Sequence, residues 1–169
     1  MANRLPDFDL MESFFPATQS AENVKILIGK DVNQSHYKNT CVIRVSRALN
    51  YAGHLIPRDS KAFRTKQGND KFWYGLRVLE FRKYMLDNFG PPTISVKRSS
   101  KSKITPAQFR GYRGIICLAV DGWNDATGHF SLWNINRMLQ GDPNYFDRAQ
   151  EGLLWVADDP SHRWSTPEV

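Results

Sequence analysis

The chain has 169 residues, of which 41% are hydrophobic, 24% charged and 12% aromatic, with a net charge of +6. That length fits one ordinary domain; ten Phe, six Tyr and five Trp exclude a solvated coil, and two Cys exclude a disulfide scaffold. No apolar run reaches the roughly 18 residues of a spanning helix, acidic residues occupy the place of a Sec-type signal core, and the positive charge suits an anionic partner such as nucleic acid, a lipid surface or a cell-wall polymer, or solubility alone.

Pro6 to Phe15 reads as a short amphipathic helix, with Phe8, Met11 and Phe15 on one stripe and Pro16 as the stop. A second helix covers about Ala21 to Ile28 and ends at Gly29. From Thr40 to Ala52, the residues Val42, Val45, Leu49 and Ala52 recur at helical spacing. Asn39 or Thr40 offers an N-cap and Gly53 ends the helix. Arg58 to Asp70 is polar and reads as loop. A helix is expected from about Lys71 to Phe89, with Phe72, Leu76, Val78, Leu79, Phe81, Met85 and Leu86 on a wide apolar face before Gly90-Pro91-Pro92. Ile94 to Val96 reads as a strand, and the segment Lys97 to Lys103 as a basic, Ser-rich loop.

Gly114 to Val120 has the length and β-branching of a buried strand, followed by a turn over Asp121 to Gly128. His129 to Asn134 alternates, with His129, Ser131 and Trp133 facing one way and Phe130 and Leu132 the other. A last strand is expected at Leu153 to Ala157, with a loosely held polar tail from about Asp158. Helices first and strands late give an α+β pattern with a mostly antiparallel sheet, in a single domain over 1–169.

Cys117 lies in an apolar strand run and reads as a small buried hydrophobe. Cys41 lies in the first turn of a helix, where free backbone amides and the positive end of the dipole favour a thiolate. Those amides, that of Cys41 included, can also face a developing oxyanion. A thiolate nucleophile needs a base, usually His, and the His an orienting acceptor. His36, His54, His129 and His162 are the candidates; His129, at the start of a strand after a Gly, is the one a rigid element holds. For the acceptor, Asp142 competes with Asp121, Asp125 and Asn134. CxxC, HxxxH, HExxH, P-loop, GxGxxG and GxSxG motifs are all absent, so neither a metal site nor a cofactor is expected.

Two strings are specific in combination. Asn39-Thr40-Cys41-Val42-Ile43-Arg44-Val45-Ser46-Arg47-Ala48-Leu49-Asn50-Tyr51-Ala52-Gly53, with Ile56-Pro57, resembles the nucleophile helix of the type VI secretion amidase effectors, family four. Gly128-His129-Phe130-Ser131-Leu132-Trp133-Asn134 resembles that family's histidine strand. Phe72-Trp73-Tyr74 and Asp142-Pro143-Asn144-Tyr145-Phe146 follow the family's order.

The resemblance implies a papain-like, NlpC/P60-like cysteine peptidase, with helices packed on a mostly antiparallel sheet and the nucleophile at a helix N-terminus. It implies a toxin made in the cytoplasm, secreted by the type VI machinery and acting in the target cell's periplasm. There it would cut peptidoglycan stem peptides between D-glutamate and meso-diaminopimelate, and a cognate immunity protein would protect the producer. Carried over by position, Cys41 is the nucleophile, His129 the base and Asp142 the orienting carboxylate. The loop between the last two departs from the pattern: it is longer, and Leu139-Gln140-Gly141 stands where relatives often carry a bracing cysteine pair. Asn134 is the alternative orienting residue. Asn39, Thr40, Trp123, Asn124 and Trp133 are expected to contact substrate, or else to cap the helix and fill the core. No nucleic-acid partner follows from the resemblance. The charge alone supports one alternative, a non-catalytic nucleic-acid or anionic-polymer binder indifferent to Cys41→Ala.

Overall fold

The computed structural model describes residues 2–120 and 128–165. Helix α1 (Phe8–Ser13) begins where the Asp7 carboxylate accepts the amide of Asp9, and it buries Phe8 and Met11. Helix α2 (Ala21–Ile28) is capped by Ser20 and ends at Gly29, whose φ of 73° lies in the region open to glycine.

Helix α3 (Cys41–Tyr51) is buried nearly all round, as befits a helix at the centre of the molecule. Cys41, Val42, Val45, Ala48 and Leu49 enter the main core, while Ile43 meets Val24, Ile28 and Tyr74 on the other side. Its buried polar groups are paired: Ser46 Oγ accepts the Gly75 amide at 3.0 Å, and Asn50 bonds the Trp73 carbonyl and the Ile56 amide.

Trp73 and Gly75 belong to a hairpin that the periodicity did not show, β1 (Thr65–Gln67) with β2 (Trp73–Gly75). The expected helix from Lys71 is therefore shorter, α4 (Val78–Phe89). Lys71 has a φ of 70°, outside the helical region. A side chain at Gly75 would strike Phe63 and Val42, so the backbone fits closely against α3 at that point. On α4 the buried face is Val78, Phe81, Tyr84, Met85 and Phe89; Leu79 and Leu86 are exposed.

The remaining strands are β3 (Ile94–Lys97), β4 (Tyr112–Val120), β5 (Gly128–Ile135), β6 (Arg137–Met138) and β7 (Ala149–Val156), with the single turn α5 (Tyr145–Arg148) before β7. They form one sheet in the order β3-β7-β4-β5-β6, every pairing antiparallel. One face sends Ile115, Cys117, Phe130, Leu132, Leu153 and Trp155 into the core shared with α1, α3 and α4. The other packs Ile116, Leu118, Trp133 and Leu154 against Phe109 and Phe146. Helices on an antiparallel sheet are the expected α+β arrangement.

Up to Ser165 the polar tail is seated rather than trailing. The Trp164 amide bonds the Gly111 carbonyl at 2.7 Å, and the Arg113 guanidinium lies between the rings of Phe8 (4.5 Å) and Trp164 (4.0 Å). Arg113 also pairs with Asp9 at 2.8 Å.

Candidate active site

Cys41 is the first residue of α3 and is buried. The backbone amides of Phe130 and Val42, the Asn39 side chain and the Arg44 charge lie in the neighbourhood of its sulfur. All four favour a thiolate. Burial outweighs them and pushes the thiol up to about 11. The net shift is thus opposite to the one that the position in sequence suggested, because desolvation of the buried sulfur is the larger effect.

Phe130, which shares the main core with Cys41, directly follows His129 on β5, the strand against which α3 packs. His129 pairs with Leu118 across the sheet and is 3% exposed. Its Nε2 lies 2.7 Å from the Gln140 carbonyl oxygen. A carbonyl only accepts, so Nε2 carries the proton and Nδ1 keeps its lone pair. One ring face stacks on Tyr145, centroids 4.7 Å apart. Gly141, at φ 114°, presses on the ring edge, where any Cβ would collide with Nε2. Burial holds the imidazole below its usual pKa; the Gln140 bond opposes that shift and the Arg44 charge adds to it.

Arg44 is buried on the same helix as Cys41, one turn on. Its Nε donates to Thr40 Oγ1 at 3.1 Å and its Nη1 to the Pro16 carbonyl at 2.5 Å. Thr40, expected to contact substrate or cap the helix, is thereby buried and engaged with Arg44. Asn39 is exposed and its Oδ1 accepts the Cys41 amide at 3.0 Å. This occupies the backbone donor that the sequence assigned to an oxyanion.

Asp142 makes no hydrogen bond to the imidazole in this structure. It is exposed, and its carboxylate accepts the Asn144 amide at 2.9 Å in its own turn. The imidazole partner is the Gln140 main chain, which sequence reasoning missed because a carbonyl leaves no signature in residue type. Asn134, the alternative, pairs with Arg113 and Arg137 in the sheet ladder. Trp133 is fully buried, its Nε1 donating to the Phe109 carbonyl at 2.9 Å, so it is core and lines no groove. Trp123 and Asn124, with Asp121 and Asp125, lie outside the described residues. His54 pairs with Tyr84 at 2.6 Å and packs on Phe89, away from Cys41. Among the described residues, no three His, Cys, Asp or Glu side chains cluster as metal ligands.

A cysteine at the start of a helix and a buried histidine on the antiparallel strand packed against it are residue types that an acyl-transfer site uses. Residues 37–155 match the family described as type VI secretion system (T6SS), amidase effector protein 4 (Tae4). The chain belongs to this family of type VI secretion amidase effectors. Its structure is similar to that of Tae4 from Enterobacter cloacae, with a TM-score of 0.80 and 32% identity over 94% of this chain and 100% of that one. The Tae4–Tai4 effector–immunity complex from the same organism gives a TM-score of 0.78 and 33% identity, covering 90% and 99%. The complex from Salmonella Typhimurium gives 0.80 and 28%, covering 92% and 100%. A search of curated proteins found no match.

Proposed function

We propose that this amidase effector is an antibacterial cysteine peptidase of NlpC/P60-like, papain type, cutting peptidoglycan stem peptides between D-glutamate and meso-diaminopimelate. The observation that carries the reading is the placement of Cys41 at the start of α3 and of His129 on β5, the strand that α3 packs against. Family membership supports the reaction class and the delivery route.

Cys41 is the nucleophile and His129 the general base. With its thiol pKa near 11 and the histidine depressed, the resting pair is neutral thiol and neutral imidazole. Nδ1 of His129 takes the thiol proton as the sulfur attacks the γ-glutamyl carbonyl. The same nitrogen then gives that proton to the leaving amine, which departs as the free stem remnant. Water, deprotonated by Nδ1, adds to the thioester, and the sulfur leaves with the proton restored. The exposed Asn39 side chain, in reach of both the Cys41 amide and sulfur, turns toward the tetrahedral oxyanion and frees that amide to join it.

The protein is injected into a neighbouring cell's periplasm by the type VI machinery, and a cognate immunity protein guards the producer. Its structural relatives from two organisms were each seen with the immunity protein Tai4, which favours a partner of that kind here. Digestion of purified sacculi by the protein, with muropeptides identified by mass, tests the reading. Stems cut after D-glutamate, lost with Cys41→Ser, are expected; intact stems with the wild-type protein overturn it.

A further inference from the structure

The basic, Ser-rich segment from Lys97 to Lys103 carries four cations and no acid, and it is a built turn. Ser99 and Ser102 exchange backbone hydrogen bonds of 2.9 and 3.3 Å, and the Lys101 amide donates to Ser99 Oγ at 3.3 Å. Arg98 ties the entry of the turn to the body of the protein. Its amide donates to the Gln150 carbonyl at 2.8 Å, its Nε to the Ala149 carbonyl at 2.7 Å, and its Nη2 to the Phe146 and Asp147 carbonyls at 3.3 and 2.5 Å. The Gln108 side chain secures the exit by donating to the Lys103 carbonyl at 3.2 Å. These acceptors are all neutral, so the charge of Arg98 is left in place. Lys97, Lys101, Lys103 and, on α5, Arg148 are exposed. Among the described residues none of these five cations pairs with a carboxylate; Glu151, opposite Lys97 in the sheet, is taken by Arg82.

The turn lies at the histidine edge of the sheet. Lys97 pairs with Glu151, Glu151 with Ala119, and Ala119 with Gly128, one residue before His129. This row crosses three strand spacings, about 14 Å, which is the span of about four residues of extended peptide. The α5 carbonyls that Arg98 holds belong to the helical turn whose Tyr145 ring lies on His129. We propose that the Lys97–Lys103 turn and Arg148 form a docking surface for the carboxylates of the peptidoglycan stems around the one being cut. This role rests on the amidase reading above. Stem peptides carry free carboxylates on D-glutamate and diaminopimelate, in an array that repeats along the wall. Cations without acids of their own attract such an array, and salt screens the attraction. A phosphate surface would feel the same charge, but the residues between the cations are all serine. The segment therefore offers no apolar side chain to enter a bilayer and no ring to stack on a base.

Docking is read without turnover by co-sedimenting the full chain carrying Cys41→Ser with purified sacculi. Binding should fall about tenfold when Lys97→Gln, Lys101→Gln and Lys103→Gln are added, and by a similar factor in about 0.5 M salt. Lys61→Gln, Arg64→Gln and Lys71→Gln remove the same number of charges from exposed positions elsewhere. They should leave binding within about twofold. Equal loss in both triple variants would reduce the effect to net charge and overturn the proposal, as would unchanged binding without the three lysines of the turn. With Cys41 intact, the turn variant should lose about tenfold in kcat/KM on sacculi and keep its kcat on a soluble stem peptide. A turn variant that holds sacculi as before, yet releases phosphatidylglycerol vesicles or a single-stranded oligonucleotide, would overturn the proposal in favour of that partner. Sacculi bound through the turn with their stems left uncut would remove the amidase reading and leave the docking surface standing.

Discussion

Tyr145 lies flat on His129, the ring planes 16° apart and the centroids 4.7 Å apart, with the Arg148 guanidinium 4.8 Å from the Tyr145 centroid. The histidine is thereby shielded from water by an aromatic face rather than by an aliphatic wall. Tyr145→Leu should lower kcat about tenfold through a looser ring. It should also move the acid limb of kcat/KM upward, because a wetter imidazole regains pKa. An acid limb that stays in place would mean the stack contributes packing alone.

Cys41 alkylation reads the thiol directly. With the pKa pushed up to about 11, the iodoacetamide rate on native protein should keep climbing from pH 7 to 10, with no plateau near neutrality. A plateau below pH 7 would mean an ion pair with His129 instead.

Asn39 separates capping from catalysis. If its amide faces the oxyanion, Asn39→Ala should cost about 10²–10³ in kcat with little change in KM. Asn39→Asp, which sets a negative charge beside the sulfur, should be worse still and slow alkylation at every pH. Lower melting temperature with intact kcat would reduce Asn39 to an N-cap.

Acid should destabilise the fold from pH 6.5 downward. Burial depresses both His129 and His54 below the ordinary histidine value. Below 6.5 the unfolded chain takes up protons that the folded chain resists, so stability present above that pH falls as pH drops through the folded pKa values. The melting temperature should decline over the acid range below pH 6.5, and His54→Phe should flatten part of the decline. A melting temperature independent of pH across that window would contradict the buried, neutral state of both rings.

Much of the scaffold is written as periodicity. α3, β4 and β5 follow from apolar spacing, and the alternation that sends His129, Ser131 and Trp133 to one face matches the packing of Trp133 opposite Phe130 and Leu132. The β1–β2 hairpin did not show because its strands are three residues each, and the helical spacing of Phe72, Leu76 and Leu79 mimicked a longer α4. Leu79, at 61% exposed, shows that apolar identity in a helical register does not fix which side is inside. At the site, residue type pointed to Cys41 and His129, whose chemistry resides in side chains. The Gln140 carbonyl and the raised thiol pKa depend on how loops close over the ring and sulfur, and neither has a residue-type signature.

Arg113 sits on β4, the middle strand, with a ring from near each end of the chain on either side of it. The first and last segments therefore meet at one guanidinium. A pull on either terminus, by a carrier, a fused domain or a translocating motor, is therefore met first at this clasp on β4, before it reaches Cys41 on α3 or His129 on β5.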